Sequence, residues 1–299
     1  RLRSRGLGDV YKRQIWSYAI ALAFFGAVMG ATDVSMNTNA VIVEKLAGRR
    51  LLSGMHAFWS IGCFASAGLF SVLASSGLNV TLIAALHCAI VLVLLAVFGR
   101  HLLDYKSPGG EKAFAIPRGI VIVLGILACI SFLVEGSVMD WSGVLLTEVK
   151  NMDIALAGTG YAIFSVAMLI MRLLGDKTVQ FLGEQKAVIG GSIVTAAGFA
   201  LVVVLDNLYL NAFAFILIGL GCANIVPVFY SLLKYQKDMP ISAAVTSVTS
   251  LGYTGVILGP ALLGFVAHGI NISAVFELVA LLLVIEAGIA KYVFCKLKM

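Results

Sequence analysis

Asp33 stands in the stretch GAVMGATDVSMNTNA, next to a run from Ile15 to Thr32 that carries no charge. An ionisable group within such a run is costly, so it points to function. Gly26, Gly30, Asp33 and Asn37 follow one another at i, i+4, i+7 and i+11, which places them on one helix face. The two glycines would let a neighbouring helix approach closely. A carboxyl group in low dielectric can exchange a proton near neutral pH, as a proton-coupling residue must. The plainer alternative is a structural role, with Asp33 bonded to Ser or Asn across a helix interface.

Other polar residues interrupt apolar runs. Glu135, in FLVEGSVMDW, reads as lying near the outer end of its run. It could accept hydroxyl hydrogens from a polar solute, or simply be wetted, as Asp140 is expected to be. Asn224 precedes Pro227 in GLGCANIVPVFY. A proline frees a backbone carbonyl and loosens a helix, which suits either a gating helix or a plain kink. His56 and Ser60 share a face in SGMHAFWSIG, and Trp59 between them could stack on a sugar or anchor a membrane interface. Tyr253, in TSVTSLGYTGVILGP, is a candidate of the same kind. Glu277 and Glu286 are nine residues apart and face opposite sides, and Glu286 has no evident partner. His87 reads as a core histidine. The five cysteines show no paired spacing and read as small apolar core residues. No HExxH, GxSxG or P-loop is present, and His and Cys show no metal-ligand spacing. The reading is therefore not an enzyme, with no catalytic residues, no cofactor and no metal.

What must position these residues is a bilayer. The 299 residues are 61% hydrophobic and 12% charged, against about 45–50% and about 25% in a soluble domain. That balance excludes an ordinary soluble enzyme, a disordered chain and a disulfide scaffold. A spanning helix needs roughly 20 apolar residues. Leu51 to Gly99 has no Asp, Glu, Lys or Arg and is too long for one span, and SSGLN at Ser75–Asn79 supplies the turn. Further runs near 119–139, 154–171, 187–205, 207–233, 241–267 and 272–294 bring the expected number of spans to nine. Fifteen Lys and Arg residues fall in one set of alternate connections, Arg172 among them, and only Lys150 in the other. Cytoplasmic connections are enriched in such residues, so the C-terminus is expected in the cytoplasm and the first span to enter from outside. The net charge of +6 then sets topology and calls for no nucleic-acid partner.

Residues 1–14, RLRSRGLGDVYKRQ, break that rule with five basic residues on the outer side. They are expected to be a non-native head, similar to translated adaptor sequence, with a genuine basic tail as the alternative. Residues 15–99 then form three helices, 100–117 a cytoplasmic linker and 118–299 a group of six helices. Transporters built from repeats have equal halves, so about three helices are expected to be missing from the front. A weak internal echo agrees with a six-helix repeat: at an offset of 191, Gly30 falls on Gly221 and Asp33 on Asn224.

These residues resemble the major facilitator superfamily, with residues 15–299 similar to its fourth to twelfth helices. RLLGDKTVQFLGEQK, Arg172–Lys186, is similar to the signature loop in the second half, with Arg172, Gly175, Asp176 and Gly183 in suitable places. GATDVSMNTNAVIVEKLAGRRLLSGMHAFWSIG resembles a bacterial inner-membrane branch related to the fucose permeases, with Asp33, Asn37 and Glu44 in the branch's order. The stretches around Asn224 and Tyr253 are similar to that branch's tenth and eleventh helices. The resemblance implies an all-α membrane fold and gives Asp33 a part in sugar and proton handling. Thr38 replaces the branch's proline, and Trp59 stands where an asparagine is expected.

The resulting expectation is a monomeric, multi-pass permease of a bacterial inner membrane. It would carry a small polar solute such as a sugar, as a proton symporter working by alternating access. Its partners are the solute, protons and the lipid bilayer. Its site residues are Asp33, Asn37, His56, Trp59, Glu135, Asn224 and Tyr253. The alternatives are an efflux antiporter and a non-transporting receptor or scaffold. Deleting residues 1–14 is expected to leave membrane insertion unchanged, measured by resistance to alkaline extraction. Loss of insertion would show the head to be part of the protein.

Overall fold

In hydrocarbon every backbone N–H and C=O must be satisfied within the chain, and continuous apolar runs do this as helices. A computed structural model describes residues 2–103 and 116–297, with side chains from residue 15 onward. Its helices are α1 (Leu2–Ala47), α2 (Leu52–Ser75), α3 (Val80–Phe98), α4 (Ile120–Val144), α5 (Thr159–Leu182), α6 (Glu184–Val204), α7 (Leu208–Cys222), α8 (Ile225–Leu232), α9 (Ile241–Gly269) and α10 (Ile272–Leu297). Among the described residues nine spans are long and apolar enough to cross a membrane, with α7 and α8 forming one of them. The chain is an all-α, multi-pass membrane protein. The expected head lies outside the described side chains, and residues 104–115 of the expected linker lie outside the described residues.

The turn expected at Ser75–Asn79 is present. α2 ends at Ser75, Gly77 takes φ +84°, and the Asn79 side chain caps α3 by accepting from the Leu82 N–H at 2.8 Å. Two boundaries differ from the sequence reading. α4 continues past residue 139 to Val144, and a π turn extends it to Val149. α5 continues past residue 171 to Leu182. Hydropathy falls at Asp140 and Arg172, but the helical hydrogen-bond ladder does not. Glu135 therefore lies in the middle of its span and not near the outer end. Arg172 lies inside the bundle and not in a cytoplasmic connection. The stretch from Arg172 is helix rather than loop, and Gly183 alone joins α5 to α6.

The core sits in α4–α10. α4 packs mainly on α9, α6 on α7 and α10, and α5 on α7. Such helices adhere through small residues: a Cβ on Gly191 of α6 would collide with the Gly221 carbonyl of α7. α1 and α2 meet this group through α5, α8 and α9, whereas α3 rests on α2. The expected close approach at Gly26 and Gly30 is not seen. No described atom comes within 4 Å of a Cβ built on either, because α1 meets its neighbours farther along, around Asn37–Glu44.

Gly183 adopts φ +82° and ψ +153°, a region open essentially to glycine. Gly183→Ala is expected to cost about 1–3 kcal/mol, read as a lower apparent melting temperature in detergent. An unchanged melting temperature would mean that the α5–α6 turn relaxes freely.

Candidate solute and proton site

α2 begins with four N–H groups that no helical carbonyl can satisfy. Two carboxylates from other helices satisfy them. Glu44 of α1 accepts from Leu51 and Leu52 at 3.0 and 3.1 Å, and Asp176 of α5 accepts from Ser53 and Gly54 at 3.1 and 2.9 Å. Negative charge is favoured there by the helix dipole. Glu44 also pairs with Lys234 at 2.7 Å, and Arg50 pairs with Glu184 at 2.6 Å. These contacts fasten α1 and α2 to the ends of α5, α6 and α8, and so close one end of the interface between the helix groups. Lys45, Arg49, Lys177, Lys186 and Lys237 lie at the same end, by their places at these helix termini. Lys150, at the opposite end, is paired with Asp206 at 2.8 Å.

Midway along α5, Arg172 is buried at 6% exposure. Its guanidinium donates to Glu135 of α4 at 3.1 Å, to Ser60 of α2 at 3.3 Å and to the Ala223 carbonyl at 3.3 Å. That carbonyl is free because Pro227, four residues on, has no N–H to donate to it. The helix consequently breaks at Ala223–Asn224, one turn earlier than the proline itself, and separates α7 from α8. Asn224 lies over Gly175, where a Cβ would collide with its Oδ1.

Across the same interface, the Asn37 side chain donates to the Asp33 Oδ1 at 3.1 Å and to the Asp33 carbonyl at 3.0 Å. Tyr253 of α9 interacts electrostatically with the Asp33 carboxyl. Tyr230 of α8 shares a 2.7 Å hydrogen bond with Thr249, and its ring stacks on His56 at 6.0 Å between centroids. Asn37 Oδ1, His56 Nε2 and Asn224 Oδ1 are buried without a hydrogen-bond partner among the described residues. Buried polar atoms normally find partners, so three such atoms at one interface suit a polar ligand.

Asp33, Asn37, Tyr253, His56, Glu135 and Asn224 are thus brought to one interface, linked through Tyr230 and Arg172. Trp59 stands apart. It is 45% exposed and lines an apolar groove of about 880 Å³ between α2 and α3, with Phe58, Phe70 and His87. Sequence reasoning missed Arg172, Tyr230 and Thr249 as members. By charge and hydropathy Arg172 reads as a loop cation. The signal that could have placed it was the apolar pattern that continues past it to Gly183, eleven residues on. Tyr230 and Thr249 are common in apolar helices and carry no such signal.

A bundle of spanning helices with charged groups buried between two helix groups defines a multi-pass membrane protein with an internal polar site. No family model matches the chain. An uncharacterized MFS-type transporter of Yersinia pestis is 42% identical over 276 residues, which cover 92% of this chain and 72% of that protein. An uncharacterized transporter of Sinorhizobium fredii is 31% identical over 281 residues, covering 91% and 73%. A crystal structure of the Escherichia coli fucose:proton symporter superposes with a TM-score of 0.63 at 14% identity, over 90% of this chain and 74% of that one. That likeness is one of fold. The chain belongs to the major facilitator superfamily and is a transporter of that type, as the resemblance implied.

Asp176→Ala removes two of the four hydrogen bonds at the start of α2. The expected cost is about 1 kcal/mol, and up to about 2, with Asp176→Asn losing less, both measured by thermal unfolding in detergent. Equal melting for the two variants and the parent would show that the carboxylate does not hold α2 in place.

Proposed function

We propose that this chain carries a small polar solute, such as a sugar, across a bacterial inner membrane as a monomeric proton symporter, by alternating access. One observation carries the reading. A carboxyl group, Asp33, sits at the interface between the helix groups beside three buried and unpartnered polar atoms, those of Asn37, His56 and Asn224. Hydroxyl groups of a solute could donate to Asn37 Oδ1 and Asn224 Oδ1, and His56 Nε2 offers a further contact. Asp33 could take a proton when its solute leaves. Tyr253 and Tyr230 supply aromatic faces on the second helix group. The named solute and coupling of the fucose:proton symporter support a sugar and a proton, and the substitutions Thr38 and Trp59 favour a solute other than fucose.

The closed end holds most of the described Lys and Arg residues, so we assign it to the cytoplasm together with the C-terminus. The observed conformation would then be shut toward the cytoplasm. Opening it requires Asp176 to release α2, and Lys234 and Glu184 to part from Glu44 and Arg50. Rocking of one helix group on the other around the fixed site would do this.

The test is uptake into proteoliposomes. Neutral sugars, polyols and organic acids are first screened by thermal shift, and the stabilising compound is then used as the radiolabelled probe. Asp33→Asn is expected to abolish uptake driven by a proton gradient while leaving exchange of labelled for unlabelled compound. Unchanged gradient-driven uptake would remove Asp33 from the coupling role. Binding without exchange by the parent chain would favour a receptor, and export driven by the gradient would favour an antiporter.

A further inference from the structure

Glu286 of α10 is fully buried, at 0% exposure. Leu283, Ala287 and Ala290 bury the same face of the helix. Its two carboxyl oxygens meet two hydroxyl groups from two other helices. The Ser131 hydroxyl of α4 lies 2.5 Å from Oε1, and the Ser192 hydroxyl of α6 lies 3.3 Å from Oε2. No cation faces it among the described residues. On α4, Glu135 turns to Arg172. On α6, Glu184 turns to Arg50. On α9, Tyr253 turns to Asp33. The Cys222 thiol of α7 is the titratable group that interacts electrostatically both with Glu286 and with the Arg172–Glu135 pair.

A carboxylate sealed in apolar surroundings without a cation is costly, even with hydroxyl partners. A bound proton removes that charge and keeps the hydrogen bonds, since a hydroxyl can donate to one carboxyl oxygen and accept from the other's proton. Apolar packing of equal volume would hold three helices together at no such cost, so stability does not explain a glutamate here. The position does suggest a use. Ser131 and Glu135 are one helical turn apart on α4, at i and i+4. Glu286 is thus separated by a single turn from the buried ion pair at the interface.

We propose that Glu286 is a proton-binding site within the second helix group, separate from Asp33, with its proton held between the Ser131 and Ser192 hydroxyls beside the Arg172–Glu135 pair. Uptake forms one carboxyl O–H bond and release breaks it; the proton comes from solvent and returns to it, and no other bond changes. The inference concerns proton binding alone and stands whether or not the solute is a sugar.

The test is infrared spectroscopy of the purified full chain at neutral pH, with glutamate carbons isotopically labelled. The carbonyl stretch of a protonated glutamic acid is expected in the parent, to persist in Asp33→Asn and to be lost in Glu286→Gln. If Glu286→Gln does not fold, Ser131→Ala and Ser192→Ala serve instead. Each removes one hydroxyl partner, and each is expected to shift the frequency of that band. An absent band in the parent, or a band unmoved by all three substitutions, would overturn the proposal and make Glu286 an ionised structural knot. A proton at Glu286 with no effect of Asp33→Asn on gradient-driven uptake would separate this site from the coupling role proposed for Asp33.

Discussion

A guanidinium inside a membrane bundle constrains everything around it. It cannot lose its proton, and a charge at that depth must be neutralised and hydrogen-bonded in place. Arg172 meets both demands through groups from three elements: the Glu135 carboxylate on α4, the Ser60 hydroxyl on α2 and the Ala223 carbonyl between α7 and α8. Each partner has its own requirement. The carbonyl is available because Pro227 cannot use it. The broken helix can come close because Gly175 has no side chain to meet Asn224. Ser60 belongs to the first helix group, so the same cation ties the two groups at mid-span.

A second set of charges acts at the helix ends, where the physics differs. There the acceptors answer unpaired N–H groups rather than a buried cation. Glu44 of α1 and Asp176 of α5 together satisfy the start of α2, so one helix terminus belongs to both helix groups at once. An interface held by electrostatic contacts at its middle and at one end, with little apolar interdigitation between α3 and the rest, is suited to parting and re-forming. Apolar packing is concentrated within α4–α10.

Much of this was legible in the sequence because the bilayer reduces the alternatives. Continuous apolar runs give helices, a Ser-Ser-Gly-Leu-Asn stretch gives a turn, and an ionisable residue such as Asp33 marks an interface. The helix ends were read less well. Hydropathy treats Asp140 and Arg172 as the end of a run, whereas the helix persists through both: Asp140 is exposed and Arg172 finds a buried partner. That partner lies on another helix, as Glu135 does for Arg172, and no single-sequence pattern displays it. The same limit hid the partners of Glu286. Trp59 shows the opposite case. Its neighbours His56 and Ser60 do reach the site, but the helical rotation between them turns Trp59 toward α3.

Arg172 and Glu135 form one electrostatic unit at the centre of the bundle, and a double-mutant cycle measures this directly. Arg172→Gln, Glu135→Gln and the double variant are compared by unfolding in detergent. Each single substitution leaves an uncompensated buried charge and is expected to cost about 3–5 kcal/mol. The double variant is expected to cost no more than the worse single, which with those costs is a coupling of at least about 3 kcal/mol. Costs that add to within about 0.5 kcal/mol would show two independent residues and would contradict the account.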